Sequence, residues 1–255
     1  MKNKNNGSLN LNKEIEWYDK NSFQKSHILN SKIFFSKKRN NYAYIFPKER
    51  LFHFIKKRVD APFPKVLIAP FGTGSDVKYV ESVSNDITGI DISETAVSSY
   101  KELSMVKKYV GDMSNMNQFH DNTFDIVYVS LFFHHFIGKF DVFLNEIYRV
   151  LKPGGYIFIL EPSILYPFSW ITRSVKVIAG NITGQVEDEA PFLPLRMTSA
   201  LKRCKYKYIS HQGASFSHNR FPILLQNFIN KTTKFMLYMP IINNFCWMCI
   251  FSAKK

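Results

Sequence analysis

Lys65-Val66-Leu67-Ile68-Ala69-Pro70-Phe71-Gly72-Thr73-Gly74 is the stretch on which the architecture turns. Its apolar run is too short for a helix and shows no polar alternation, and it ends in a proline and two closely spaced glycines. That pattern fits a strand buried on both faces, followed by a tight turn into a helix expected over Asp76–Ser84. Glycine allows such a turn and lets a ligand approach the backbone. The free N–H groups of the helix start can receive a carboxylate or a phosphate.

The same punctuation recurs downstream. Ile87–Ile90 ends at Asp91, Lys108–Val110 at Gly111-Asp112, Phe124–Val129 at Ser130, and Tyr156–Leu160 at Glu161-Pro162. Helical patterns over Glu94–Leu103 and Phe140–Leu151 lie between them. Strands alternating with helices imply βαβ units, so the expected class is α/β, with a doubly wound parallel sheet covered on both faces.

In such a sheet, ligands bind outside the carboxyl ends of the strands. The Gly72/Gly74 loop, Asp91, Asp112, Ser130 and Glu161 all fall at such ends. Asp91 follows Gly74 by 17 residues, near the spacing of about 20 at which an acid accepts bonds from ribose hydroxyls. A carboxylate suits that task because it can accept from two hydroxyls at once. Asp112 is placed either to accept from an adenine amino group or simply to build a turn. Val77 stands where the third glycine of a dinucleotide fingerprint would be, so a nicotinamide dinucleotide fits poorly.

The flanks read differently. Pro47 is placed to open a helix carrying Leu51, Phe52, Ile55 and Val59, which the linker Ala61-Pro62-Phe63-Pro64 stops. The expected division is an arm and lid over residues 1–41, an α/β core over 42–162, and a C-terminal segment over 163–255 that completes the sheet. Within the last, Lys205–Ser210 and Phe245–Phe251 read as strands and Phe221–Tyr238 as a helix.

Composition narrows the function classes. The 255 residues are 45% apolar and 16% aromatic, which excludes a disordered chain. Three cysteines cannot form a disulfide framework, and residues 1–14 lack the apolar region of a signal peptide, so a reducing, cytoplasmic setting is expected. The net charge of +14 divides into +10 over 1–65, −5 over 66–162 and +9 over 163–255. Basic flanks are either solvated surface or a contact for an anionic partner. Residues 235–253 carry no charge, but Pro240, Asn243 and Asn244 interrupt them, so helix, turn and strand are expected there. Lysines and aromatics around them suit a peripheral contact with an anionic membrane better than a span. His211 and His218 lack metal-ligand spacing with the cysteines, and Cys246-Trp247-Met248-Cys249 reads as core, so no metal is expected. No aromatic-plus-basic RNA-binding module is recognisable, which argues against nucleic acid.

Taken in order, Val66–Gly74, Gly89-Ile90-Asp91-Ile92-Ser93, Gly111-Asp112-Met113, Phe124-Asp125-Ile126-Val127 and Glu146–Gly155 resemble the motifs of the Rossmann-like (class I) S-adenosylmethionine-dependent methyltransferases. The resemblance covers about residues 42–162. It implies a mostly parallel seven-stranded sheet with an N-terminal helical lid and a C-terminal substrate-side insertion. It implies S-adenosylmethionine as cofactor, with Phe71, Gly72, Thr73 and Gly74 receiving the methionine part. Asp91 would hold the ribose, Ile92 would pack on adenine, Asp112 and Met113 would border the ring, and Ser130 would lie beside the methyl group.

Trp17 and Tyr18 resemble the lid of such enzymes. His134 and His135, just after the fourth strand, are the candidate bases, since histidine titrates near neutral pH. Ile68 and Pro70 depart from the family, which usually has an acid and a glycine there. The expected function is methyl transfer to a small molecule, with lipid-linked molecules and sugars as candidates. The alternative is a non-catalytic module that binds RNA or an anionic membrane through its basic flanks.

Overall fold

The structure, a computed structural model, describes residues 37–101, 105–169 and 191–255. The elements in chain order are α1 (Lys37–Arg58), β1 (Lys65–Ile68), α2 (Val77–Val80), β2 (Asp86–Asp91), α3 (Glu94–Ser99), β3 (Lys107–Val110) and β4 (Phe124–Ser130). A short 3-10 turn (Phe133–His135), α4 (Phe140–Val150), β5 (Leu151–Pro162), α5 (Pro194–Arg203), β6 (Lys207–Ser215), α6 (Ile223–Met236), α7 (Pro240–Asn243) and β7 (Met248–Lys254) follow.

These strands form one seven-stranded sheet in the order β3-β2-β1-β4-β5-β7-β6. Pairings among β1 to β5 are parallel, and β7 runs antiparallel to both β5 and β6. The order reverses at β1, whose neighbours are β2 and β4, and this switch point is where an open α/β sheet leaves a crevice. The expected doubly wound, mostly parallel sheet is therefore present.

The strands form where the apolar runs do because both faces are covered. On one face Leu67, Val127, Val129 and Ile159 pack with Phe143, Leu144 and Ile147 of α4 and Met197 and Leu201 of α5. On the other, Ile68, Ile126, Tyr128 and Phe158 pack with Leu51, Phe52 and Ile55 of α1 and Val77 and Val80 of α2.

Several boundaries depart from expectation. Pro47 does not open a helix: α1 begins at Lys37 and carries Pro47 inside it. An interior proline costs roughly 3 kcal/mol. The buried stripe of Ala43, Leu51, Phe52 and Ile55 continues through the proline and offsets that cost. The boundary expected between 41 and 42 consequently falls within a helix.

α3 is shorter than expected. Ser93 caps it by accepting from the Ala96 N–H, and Tyr100 leaves the helix in an extended conformation. β5 starts earlier than Tyr156, because Phe124 of β4 already pairs with Leu151. β6 and β7 both run further than their expected ends, since β7 pairs with β5 as far as Lys254 opposite Tyr156. The uncharged run 235–253 divides into the end of α6, α7 and most of β7, and among the described residues no helix is long and apolar enough to cross a membrane.

Candidate active site

The residues following β1, β2, β3 and β4 enclose a cavity with about 530 Å³ of free space, its open mouth included. Pro70, Asp91, Ile92, Gly111, Asp112 and Met113 contribute from the first three strand ends. Leu131, Phe132, His135 and Phe136 contribute from the segment after β4, and Phe143 from α4.

Asp91 closes β2 and is 3% exposed. Its Oδ2 accepts the Gly72 N–H at 2.6 Å and its Oδ1 accepts the Ser93 N–H at 3.0 Å. Burial pushes its pKa above the ordinary carboxylate value, against the lowering effect of the backbone N–H groups. A carboxylate offers about four lone-pair positions, so acceptor capacity remains for hydroxyls entering from the cavity.

The glycine loop is built by sterics. Gly72 (φ +54°) has nothing within 4 Å of where a Cβ would stand, which leaves open space beside its backbone. At Gly74 (φ +73°) a Cβ would fall 2.3 Å from the Tyr100 ring. The Phe71 ring is buried, edge-on to Tyr100 at 5.4 Å, and a Cβ on Gly89 would meet it at 2.1 Å. Of the four loop residues expected to touch the cofactor, Phe71 thus places its side chain in the core, Thr73 is exposed, and none lines the cavity itself.

Asp112 and Met113 do line it, as does Ile92. The Asp112 carboxylate also builds its own turn, accepting the Ser114 N–H and hydroxyl, each at 2.7 Å.

The segment after β4 is pinned by a carboxylate. Glu161, fully buried near the end of β5, accepts the Phe132 and Phe133 N–H groups on Oε1 at 2.6 and 2.7 Å. Its Oε2 lies 2.8 Å from His134 Nδ1. The two expected histidines therefore divide. His134 is buried and held by Glu161, whereas His135 lines the cavity, with its ring 4.1 Å from that of His134. Leu131 adopts φ +55°, a conformation rare for a leucine, and its N–H bonds to Leu160 O at 3.0 Å. Ser130 Oγ is buried without a hydrogen bond of normal geometry, although the Tyr128 hydroxyl is close enough to feel it. Trp17 and Tyr18 lie outside the described residues.

A second buried cluster borders the glycine loop. Asp76 accepts from Lys48 and, at 2.8 Å, from the Tyr128 hydroxyl. Burial first, and then Asp76 and Glu49, push the Tyr79 phenol up to about 12. Ile68, where the family usually has an acid, is 2% exposed and pairs in register with Tyr128. The buried carboxylate of this face comes instead from Asp76, eight residues further along the chain.

Sequence reasoning singled out Glu161 as a strand-end residue without giving it a task, and missed the aromatic wall of Phe132, Phe136 and Phe143. The wall has a faint signal, the run Phe132–Phe136. The Lys48–Asp76 pair has none, because its members are 28 residues apart. Among the described residues no group of three His, Cys, Asp or Glu could hold a metal ion. Cys204, Cys246 and Cys249 are free and buried, and burial drives the Cys249 thiol up to about 12.

Comparison with known proteins agrees with this geometry. Residues 69–159 match the family described as methyltransferase domain. Over 125 residues the chain is 30% identical to the ubiquinone/menaquinone biosynthesis C-methyltransferase UbiE of Ruegeria sp. (strain TM1040), covering 41% of this chain and 49% of that protein. It is 29% identical over 112 residues to the fatty-acid O-methyltransferase of Mycolicibacterium smegmatis, covering 42% and 40%. The chain thus spans about half the length, or less, of these curated relatives. Among solved structures, a SAM-dependent methyltransferase from Archaeoglobus fulgidus superposes with a TM-score of 0.56 at 17% identity, covering 82% of this chain and 92% of that one. At that identity the likeness concerns the fold.

Proposed function

Because the chain carries a domain of the Rossmann-like S-adenosylmethionine-dependent methyltransferase family, we propose that it transfers a methyl group from S-adenosylmethionine to a small molecule with an apolar, lipid-linked body. A sugar acceptor is the second choice. The carrying observation is that Asp91, Ile92, Asp112, Met113 and His135 line one cavity. The residues present fit the cofactor: a carboxylate with spare acceptors, apolar side chains beside it, and open space flanking the Gly72 backbone.

S-adenosylmethionine brings a methyl group already activated by a sulfonium, for in-line displacement. What remains for the protein is alignment and exclusion of water. Asp91 holds the ribose hydroxyls, and Ile92 and Met113 flank the adenine. Phe132, Phe136 and Phe143 keep the acceptor end dry. His135 is the base for an oxygen or nitrogen acceptor. His134 is a positioning residue, since its Nδ1 is engaged by Glu161.

The aromatic wall favours an acceptor with an apolar body, in keeping with the quinones and fatty acid in the names of the two curated relatives. Work at the cytoplasmic face of a membrane suits such an acceptor. Calorimetry with S-adenosylmethionine tests the core of this reading: the wild type should bind, and Asp91→Ala should lose at least about tenfold in affinity. Equal heats for the two proteins would remove the ribose contact. Mass spectrometry of methylated products from lipid and water-soluble extracts separates the two acceptor classes.

One observation favours a second reading, a non-catalytic binding module. Both Asp91 oxygens already accept backbone N–H groups, and Ile68 and Pro70 replace the family's usual residues. Salt-sensitive binding to RNA or anionic vesicles, with no heat from the cofactor, would support it.

A further inference from the structure

α6 is oriented the wrong way round for a helix bathed in water. Its most deeply buried side chains are polar: Gln226 and Thr233 are 0% exposed and Asn230 is 8% exposed, beside the partly buried Ile229 and Met236. Its outward side chains are large and apolar: Leu224 is 84% exposed, Phe228 64% and Phe235 76%. With Lys231 these three follow a spacing of four, three and four residues, which is one stripe along the helix.

Hydrogen bonds hold this orientation. Gln226 Nε2 donates to Arg39 O of α1 at 3.3 Å and to Phe221 O at 2.8 Å, and Ser215 Oγ of β6 donates to Asn230 Oδ1 at 3.2 Å. Rotating the helix to hide the phenylalanines would bury them only by breaking these bonds. Beyond the helix, Tyr238 (86% exposed) and Ile241 (77%) extend the apolar surface. Large apolar side chains left exposed along one stripe mark a docking face.

Charge identifies the occupant. From Phe221 to Asn244, the stretch that carries α6 and α7, the chain has Lys231 and Lys234 and no Asp or Glu. Lys231 and Lys234 are exposed on α6 itself, and among the described residues Glu49 is the one carboxylate lining the groove between α1 and α6. A two-fold contact with a second copy through this face would set like-charged lysines against each other. An anionic bilayer accepts both features, apolar rings below the headgroups and lysines among the phosphates.

We propose that the outer face of α6 and α7 lies on an anionic lipid bilayer. The placement is functional: Ser215 at the end of β6 and Pro162 at the end of β5 both pair with Met248 at the start of β7. The α6–α7 excursion thus leaves and re-enters the sheet at the edge that carries the cavity. A lipid-linked acceptor would reach the cavity without crossing water. The docking itself does not depend on the methyltransferase reading.

The test is co-sedimentation of the full chain with phosphatidylcholine vesicles and with vesicles that also contain phosphatidylglycerol. The chain should bind the anionic vesicles and be released by salt. Phe228→Ser/Phe235→Ser should weaken that binding by at least about tenfold, and Lys231→Glu/Lys234→Glu should abolish its preference for phosphatidylglycerol. Circular dichroism spectra and thermal midpoints equal to wild type in both double variants would show the fold intact and keep this test separate from the catalytic one. No binding to either vesicle overturns the proposal. So does binding that ignores the phenylalanine substitutions, or a stable dimer in sedimentation that those substitutions dissociate.

Discussion

Glu161 Oε2 lies 2.8 Å from His134 Nδ1, and the same carboxylate holds two backbone N–H groups of the segment that follows β4. One buried side chain at the tip of β5 thus fixes the loop that presents His135 to the cavity. Removing it orphans two amides and an imidazole. Glu161→Ala should lower stability by about 3 kcal/mol or more, and Glu161→Gln, which keeps an acceptor oxygen, by less. Urea unfolding of both variants would check this, and equal midpoints for Glu161→Ala and wild type would refute the clamp.

Asp91 offers a test by pH. Burial raises its pKa in the folded chain, so the folded state takes up this proton at a higher pH than the unfolded one. Its contribution to folding stability therefore falls as pH rises through the raised value. Cofactor binding runs the opposite way, because ribose hydroxyls donate to the ionised form. Affinity should decline on acidification, beginning above the ordinary carboxylate value of about 4. Asp91→Asn should bind weakly, with no such decline. Calorimetric titration across pH would decide it, and parallel profiles for the two proteins would exclude Asp91 as the titrating group.

The two loop glycines should respond differently to alanine. At Gly74 a Cβ meets the Tyr100 ring at 2.3 Å, at φ +73°. Clash and strain together should cost about 3 kcal/mol. At Gly72 there is room, and only the φ of +54° opposes the substitution, at about 1 kcal/mol. A methyl group there occupies the open flank, so Gly72→Ala should lose cofactor affinity while its thermal midpoint moves little. A midpoint that falls as far for Gly72→Ala as for Gly74→Ala would show that the space is not free.

Lys48 and Asp76 are 12% and 11% exposed in their side chains. Removing one partner strands the other, so Asp76→Ala should destabilise by about 3 kcal/mol. Asp76→Leu/Lys48→Met should recover part of that loss, because no charge is then left buried. Chemical denaturation of the wild type, Asp76→Leu, Lys48→Met and the double variant gives the coupling, and simple additivity would mean that the pair does not act as a unit.

The sheet was legible in the chain because a strand covered on both faces must be apolar throughout. Its run therefore ends visibly, at Gly72, Asp91, Ser130 and Glu161, while the exposed β3 is marked only by the Gly111-Asp112 turn after it. Asp91 and Asp112, which line the cavity, were readable for the same reason, since they stand at the turns where those runs stop; Ile92 and Met113, which line it too, came only from the family resemblance. What local pattern could not carry was direction. His134 and His135 are adjacent and chemically equal, and only the reach of Glu161 separates the one held in the interior from the one facing the cavity. Phe71 sits in the binding loop, yet its ring goes to the core because Gly89 leaves a space beneath it. The helix over 223–236 was visible as a period of apolar residues, but a period does not say which side meets the protein. Hydrogen bonds from Gln226 to Arg39 O and from the Ser215 hydroxyl to Asn230 settled that side, through partners that no local window contains.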